Sequence, residues 1–133
     1  QVPCHGDPLC ENFLDTGERM YLVDYEYAGN CDPMWDLGGL AADAELSNEQ
    51  QHLLLRAYFH GEDIPHDAAA RVVVYRALSD LLWTLRGMIQ HLNNNRTGSF
   101  LDYAMARFER CQDLVRSDEF RRAVEIVAAG GAS

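Results

Sequence analysis

The chain has 133 residues, of which 47% are hydrophobic, 24% charged and 10% aromatic; this composition is typical of one globular domain and excludes collagen-like, mucin-like and wholly disordered chains. Its 11 basic residues, all arginine, face 21 acidic ones, and the formal net charge is −10 at pH 7. Such a charge predicts no nucleic-acid partner, because nucleic acids are bound by neutralising phosphates, and it favours a cationic small molecule or a metal ion as ligand.

The first part of the chain, residues 1–40, contains Gly and Pro breakers, short apolar runs and many acidic side chains. Apolar segments at 12–14 and 20–24 flank a turn cluster at 15–18 and predict a small β-hairpin. The remainder, residues 41–133, carries helical patterns instead. We therefore expect two unlike parts within one domain.

The helical part begins with a capping box. Ser47 and Gln50 have the S-x-x-Q spacing, which predicts a helix from about 48 to 59. The next predicted helix, at about 67–92, has one apolar stripe at the 3.6-residue period, which indicates a central core helix. That stripe consists of Leu78, Leu81, Leu82, Leu85, Met88, Ile89 and Leu92. Two more helices are predicted after it, the second following Ser117.

The acidic side chains of residues 1–40 predict a cation site. If several of them converge, their charges repel one another unless a divalent cation compensates them. Asn12 and Asp24 offer oxygen ligands without a cysteine or histidine partner, a donor set that suits Mg²⁺.

The spacing of His5, Asp7 and Asn12 has the form H-x-D-x-x-x-x-N, and Asp24 follows on the far strand of the predicted hairpin. This set resembles the catalytic loop and the metal-binding aspartate of kinase-type phosphotransferases. The resemblance implies that Asp7 is the catalytic base and that Asn12 and Asp24 hold Mg²⁺. His5 is expected to support the backbone, and Asp36 to accept hydrogen bonds from loop amides.

Three longer segments carry a more specific resemblance. They are V-D-Y-E-Y-A-G-N-C-D-P-M-W-D-L-G at 23–38, L-L-W-T-L-R-G-M-I-Q at 81–90 and F-L-D-Y-A-M-A-R-F-E-R at 100–110. They resemble the choline and ethanolamine kinase family and, more broadly, the aminoglycoside phosphotransferase-like kinases. The resemblance implies a mainly α (α+β) fold: a protein-kinase-like C-terminal lobe, built as a helical bundle with a small β-hairpin at the catalytic loop.

The same resemblance implies where a cationic amino alcohol would bind. Glu26 and Asp43 match the family's acidic positions, and Trp83 matches its first aromatic position. A quaternary ammonium has no hydrogen-bond donors, so it needs aromatic faces and nearby carboxylates. Arg86 departs from this pattern, because choline-binding members tend to carry a second aromatic residue there. An arginine at that position weakens the expectation of choline and leaves ethanolamine or another hydroxylated substrate open.

Two features of kinase-type catalysis are missing. The chain has neither a Gly-rich phosphate loop nor any lysine. We therefore expect residues 1–133 to be a single partial domain, a C-terminal lobe without its N-terminal lobe. Residues 1–40 would supply the catalytic and metal-binding loops, and residues 41–133 the helical substrate-binding part. ATP would bind mainly through the missing lobe, and these residues alone would have negligible turnover.

Two alternatives stay open at the sequence level. One is an aminoglycoside or other hydroxyl phosphotransferase with the same loop, which Arg86 favours. The other is an inactive lobe that serves as a binding module and self-associates through a lobe-facing apolar surface. The four cysteines include no C-x-x-C pair, which predicts reduced thiols and a cytoplasmic location. The chain has no long apolar run, so no membrane span is predicted.

Overall fold

A computed structural model describes residues 1–95 and 98–130, and these residues form a small helical bundle with short strands beside it. The strands are β1 (Val2–Cys4), β2 (Phe13–Asp15), β3 (Met20–Leu22) and β4 (Gly29–Cys31). The helices are α1 (Met34–Asp43), α2 (Asn48–Tyr58), α3 (Ala68–Leu92), α4 (Phe100–Arg116) and α5 (Asp118–Gly130). The predicted mainly α fold is confirmed.

The strands form two separate antiparallel pairs. β2 and β3 make the predicted hairpin, with Phe13 opposite Leu22 and Asp15 opposite Met20. β1 pairs with β4, so that Val2 lies opposite Cys31. This second pair was not predicted, because each strand has only three residues and the partners are far apart in sequence. The β1–β4 pair brings the start of the loop after β1 beside the segment before α1.

Helix α3 lies at the centre of the bundle and packs against α1, α4 and α5. Met34 of α1 and Val72 of α3, each 1% exposed, are the largest fully buried side chains of the described residues. Gly38 lets α1 and α3 approach closely, because a Cβ atom there would lie 2.6 Å from the Cβ atom of Tyr75. A second apolar cluster joins α3 to α5 around Val73 and Ala123.

The helix boundaries follow local signals. Both hydrogen bonds of the Ser47–Gln50 capping box form, and the helix they begin is confirmed. The Ser117 hydroxyl accepts a hydrogen bond from the Phe120 amide at 3.1 Å, which caps α5. Within the described residues, no helix combines the length and apolar character needed to cross a membrane.

The prediction that the apolar stripe of α3 forms the core was wrong. Its side chains are exposed, from 39% at Leu81 to 74% at Leu92. The buried face of α3 instead carries small and polar residues, among them Asp80, Thr84 and Gly87. This face is buried because α4 packs against it, and Gly87 and Ala104 are close neighbours there.

Candidate active site

The loop between β1 and β2 is held by hydrogen bonds from its first two residues. The carboxylate of Asp36, in the first turn of α1, accepts the amide of His5 at 2.6 Å and that of Gly6 at 2.9 Å. Gly6 has a φ of 85°, and a Cβ atom there would overlap the carbonyl oxygen of Tyr27. Glycine is therefore required at this position, and Asp36 has the geometry that a bracing role requires.

His5 connects this loop to the end of the hairpin. Its Nδ1 accepts the amide of Asp7 at 3.3 Å, and its Nε2 lies 2.8 Å from the carbonyl oxygen of Val23. Because a carbonyl can only accept, the proton of the ring is on Nε2. The imidazole is thus occupied by backbone groups on both sides, which is the arrangement expected of a supporting residue.

Asp7 has an unpartnered carboxylate oxygen inside this loop. The residue is 6% exposed, and among the described residues its Oδ1 has no hydrogen-bond partner. Burial raises the pKa of the Asp7 carboxyl above its ordinary value, and the charge of Asp24 adds to that shift, whereas Arg86 opposes it. A buried, unsatisfied acceptor costs free energy unless it meets a donor. Asp7 is therefore suited to accept a hydrogen bond from a ligand.

Asn12 contacts Asp7 directly, and Asp24 lies near enough for its charge to act on the Asp7 carboxyl. The Asn12 side-chain amide donates to the carbonyl oxygen of Asp7 at 2.9 Å, which leaves its Oδ1 as a possible ligand atom. The backbone of Asn12 accepts the amide of Val23 at 3.0 Å. Asp24 is exposed and has a φ of 67°, a left-handed conformation that costs about 1 kcal/mol and is concentrated at functional sites.

This donor set fits a magnesium ion better than a metal held entirely by protein. In the described part of the chain, no group of three or more His, Cys, Asp or Glu side chains is placed to hold a metal ion. Asn12 and Asp24 would supply two oxygens, so water and phosphate would complete the coordination, as Mg²⁺ usually requires.

A cavity of about 540 Å³ opens beside the loop, between α3 and α4. Of the three residues predicted to bind substrate, Asp43 and Trp83 line it, together with Arg86, Phe100 and Tyr103. Glu26 is exposed in the turn after β3 and is not among the lining residues. The structure thus brings together two of the three predicted residues.

Asp43 is already engaged by other protein groups. Its Oδ2 accepts the amide of Cys10 at 2.8 Å, and its Oδ1 pairs with Arg107 at 2.5 Å. Arg107 also pairs with Asp80 at 3.1 Å, and Asp80 in turn accepts Arg110 at 2.5 Å. The cavity wall is therefore fixed by a charged network through α1, α3 and α4.

Sequence reasoning missed Arg107 and Asp80. Both are nearly buried, at 6% and 4% exposure, although charged side chains are seldom buried unless they are paired. The sequence did contain one indication of a buried charge: Asp80 lies on a face of α3 that otherwise consists mainly of small residues. Its partner is 27 positions away in sequence, so helical spacing does not reveal it.

A known protein family matches the part of the chain that contains the loop of Asp7. A model described as the Phosphotransferase enzyme family matches residues 1–73, which is more than half of the chain. The chain belongs to the phosphotransferase enzyme family. The matched residues contain the loop of Asp7 and Asn12, the hairpin and Asp24. Trp83 and Arg86 lie beyond them.

Individual relatives agree with this family. A crystal structure of a choline/ethanolamine kinase family protein from Mesorhizobium loti has a TM-score of 0.87 and 51% identity, over 94% of this chain and 42% of that chain. Protein LicA of Haemophilus influenzae is 30% identical, over 85% of this chain and 43% of its own length. A structure of LicA in complex with AMP has a TM-score of 0.62 and 29% identity, over 96% of this chain and 39% of that chain.

The chain thus spans less than half the length of these relatives. The predicted family resemblance is confirmed, and so is the kinase-like fold of a C-terminal lobe.

Proposed function

We propose that this chain is the acceptor-binding lobe of an ATP-dependent phosphotransferase that acts on the hydroxyl of a small alcohol. Choline, ethanolamine or a similar amino alcohol is the primary candidate, since a similar solved structure is described as a choline/ethanolamine kinase family protein. The observation that carries the proposal is the unpartnered Oδ1 of Asp7, in a loop fixed by Asp36 and Asn12.

In the proposed reaction, Asp7 orients the acceptor hydroxyl and takes its proton. The alcohol oxygen forms a bond to the γ-phosphorus of ATP while the bond from that phosphorus to the β–γ bridging oxygen breaks, and ADP leaves. A carboxylate whose pKa is raised by burial, as that of Asp7 is, accepts this proton more readily than an exposed aspartate does.

Asn12 and Asp24 would hold Mg²⁺, which when bound neutralises the phosphates. Two bonds support this placement: Asn12 donates to the Asp7 carbonyl oxygen, and the Val23 amide, next to Asp24, donates to the Asn12 carbonyl oxygen. Asp43 and Trp83 would contact the acceptor from the cavity wall, and Glu26 from the turn after β3.

The domain organisation belongs to the same proposal. We infer a single lobe over residues 1–133, in which residues 1–40 supply the catalytic and metal-binding loops and residues 41–133 the helical acceptor-binding part. Most nucleotide contacts would come from a separate N-terminal lobe, because the chain has neither a Gly-rich phosphate loop nor a lysine.

The decisive test is Asp7→Asn in the full-length protein. With Mg²⁺, ATP and choline or ethanolamine, we expect kcat/KM to fall by about 10²- to 10⁴-fold, the usual contribution of a general base. ADP release in a coupled assay measures this, and Asp63→Asn, at an exposed loop carboxylate, is the matched control that should keep full activity. An Asp7→Asn protein with more than about a tenth of the original kcat/KM would exclude Asp7 as the base.

A second candidate acceptor class has one specific observation in its favour. The guanidinium of Arg86 lies over the rings of Trp83 and Tyr27, where a choline-type ligand would place its own cation. This arrangement favours a hydroxylated acceptor that bonds to Arg86 through oxygen, and an aminoglycoside fits it if its hydroxyl groups, rather than its ammonium groups, face the guanidinium. Kinetic comparison of an aminoglycoside with ethanolamine separates the two candidates.

A further inference from the structure

Arg86 occupies an aromatic pair at the edge of the cavity. Its guanidinium carbon lies 5.2 Å from the ring centroid of Tyr27 and 5.5 Å from that of Trp83. The two rings meet edge to face, with centroids 6.3 Å apart. The two distances from the guanidinium carbon to the ring centroids are within the range of a cation–π interaction. Arginine is the cation most often found in that position.

The second guanidinium at the cavity has a similar contact. Arg107 lies 5.2 Å from the ring centroid of Tyr103. The rings of Trp83 and Tyr103, both in the cavity wall, are therefore already in contact with a positively charged arginine side chain. A ligand with a fixed cation would have to displace these contacts before it could make its own.

The two arginines differ in their ion pairs. Arg107 is compensated by Asp43 and Asp80. Arg86 is exposed and forms no ion pair with any residue that the structure describes. Its charge acts on the Asp7 carboxylate without a direct ion pair, so the guanidinium can still donate hydrogen bonds to a ligand oxygen.

The acidic groups of the wall do not outweigh these cations. The ionisable side chains that line the cavity are Cys10, Glu11, Asp43, Arg86, Tyr103 and Arg107, so the two carboxylates face two guanidinium groups. A ligand cation that approached the rings of Tyr27 and Trp83 would be repelled by the guanidinium of Arg86 at close range.

We propose that Arg86 is a specificity-determining residue, which selects against acceptors with a quaternary ammonium and in favour of alcohols that present a hydroxyl or carboxylate oxygen to its guanidinium. This inference rests on the proposed function, since it takes the cavity as the acceptor site. A planar guanidinium bonds well to such oxygens while it remains stacked on aromatic rings.

Three probes of similar size separate charge from shape: choline, its uncharged isostere 3,3-dimethylbutan-1-ol, and glycerate. Titration calorimetry on the full-length protein should show choline binding at least about threefold more weakly than the isostere, and glycerate most tightly. In Arg86→Gln, we expect choline to bind at least about fivefold more tightly and glycerate about fivefold more weakly. Binding of the isostere should change by less than about twofold, because its affinity does not depend on charge.

Two further variants show whether the charge is responsible. Arg86→Lys keeps the charge and should discriminate against choline as the original protein does. Arg56→Gln removes an exposed arginine of α2, outside the cavity lining, and should change none of the three affinities.

Tighter binding of choline than of the isostere in the original protein, with no gain in Arg86→Gln, would overturn the inference. So would the absence of binding by all three probes. Failure of the proposed function would give a different result. The affinities for choline and glycerate would still change in Arg86→Gln as stated above, but no alcohol would be phosphorylated with Mg²⁺ and ATP.

Discussion

Asp32 connects the start of α1 to α3 through one carboxylate. Its Oδ1 accepts the amide of Met34 at 2.9 Å, and its Oδ2 accepts Arg71 at 2.8 Å and the hydroxyl of Tyr75 at 3.2 Å. Burial alone would raise the pKa of Asp32, but the Met34 amide and the Arg71 guanidinium outweigh it and lower the pKa below its ordinary value. The charged form is therefore the one that the fold stabilises.

We expect Asp32→Asn to lower the free energy of unfolding at pH 7 by about 1–3 kcal/mol, the range for hydrogen bonds to a charged group. Because the folded pKa is depressed, this stabilisation is present above the ordinary value of 3.8. It is lost as the pH falls through the lower folded value. Urea unfolding between pH 7 and pH 3 should show the difference shrinking towards acid, and a difference independent of pH would contradict it. Asp63→Asn is the control at an exposed carboxylate.

At the residue scale, sequence reasoning found the side chains whose spacing is local and missed those defined by distant partners. Asp7 and Asn12 were found because a fixed spacing places them in one loop, although their roles stay predictions. Asp32 was missed because its partners Arg71 and Tyr75 are 39 and 43 positions away. Contacts across such distances depend on helix packing, which no short pattern encodes.

At the element scale, α3 carries its stripe of Leu, Met and Ile side chains on the exposed face. Leu85 is 51% exposed, whereas Val72 of the same helix is 1% exposed. The burial of an apolar residue, rather than its hydrophobicity, determines how much it stabilises the fold. The two residues should therefore respond differently to substitution.

We expect Leu85→Gln to change the free energy of unfolding of the 133-residue chain by less than about 0.5 kcal/mol. Val72→Ala should cost about 2 kcal/mol, because it removes buried methyl groups and leaves a cavity. Urea unfolding of both variants gives the comparison. An equal loss in the two would mean that the stripe of α3 is covered in the folded chain.

The same helix illustrates why elements are easier to predict than their packing. The period of α3 and the capping box of α2 depend on neighbouring residues, and both helices were found close to their observed bounds. Which face of α3 is buried depends on what packs against it. Since α4 contacts the face with Asp80 and Gly87, the apolar stripe stays exposed.

At the scale of the whole molecule, the chain contains the proposed base and metal ligands, and we infer that it forms a single lobe. Kinase-type transfer also needs groups that hold the nucleotide phosphates. We expect the isolated 133-residue chain, with Mg²⁺, ATP and ethanolamine, to give no ADP above that of its Asp7→Asn variant. A coupled assay at high protein concentration measures this. Turnover that disappears in Asp7→Asn would show that this lobe binds nucleotide by itself.

Gly6 and Tyr27 bring two chemically different segments of backbone into close approach. Because a side chain at position 6 would overlap the Tyr27 carbonyl, the peptide carrying Asp7 and the turn following Asp24 lie directly against each other. A methyl group at position 6 would therefore push the peptide that carries the proposed base away from the turn that follows Asp24, and the spacing of the two carboxylates would change with it.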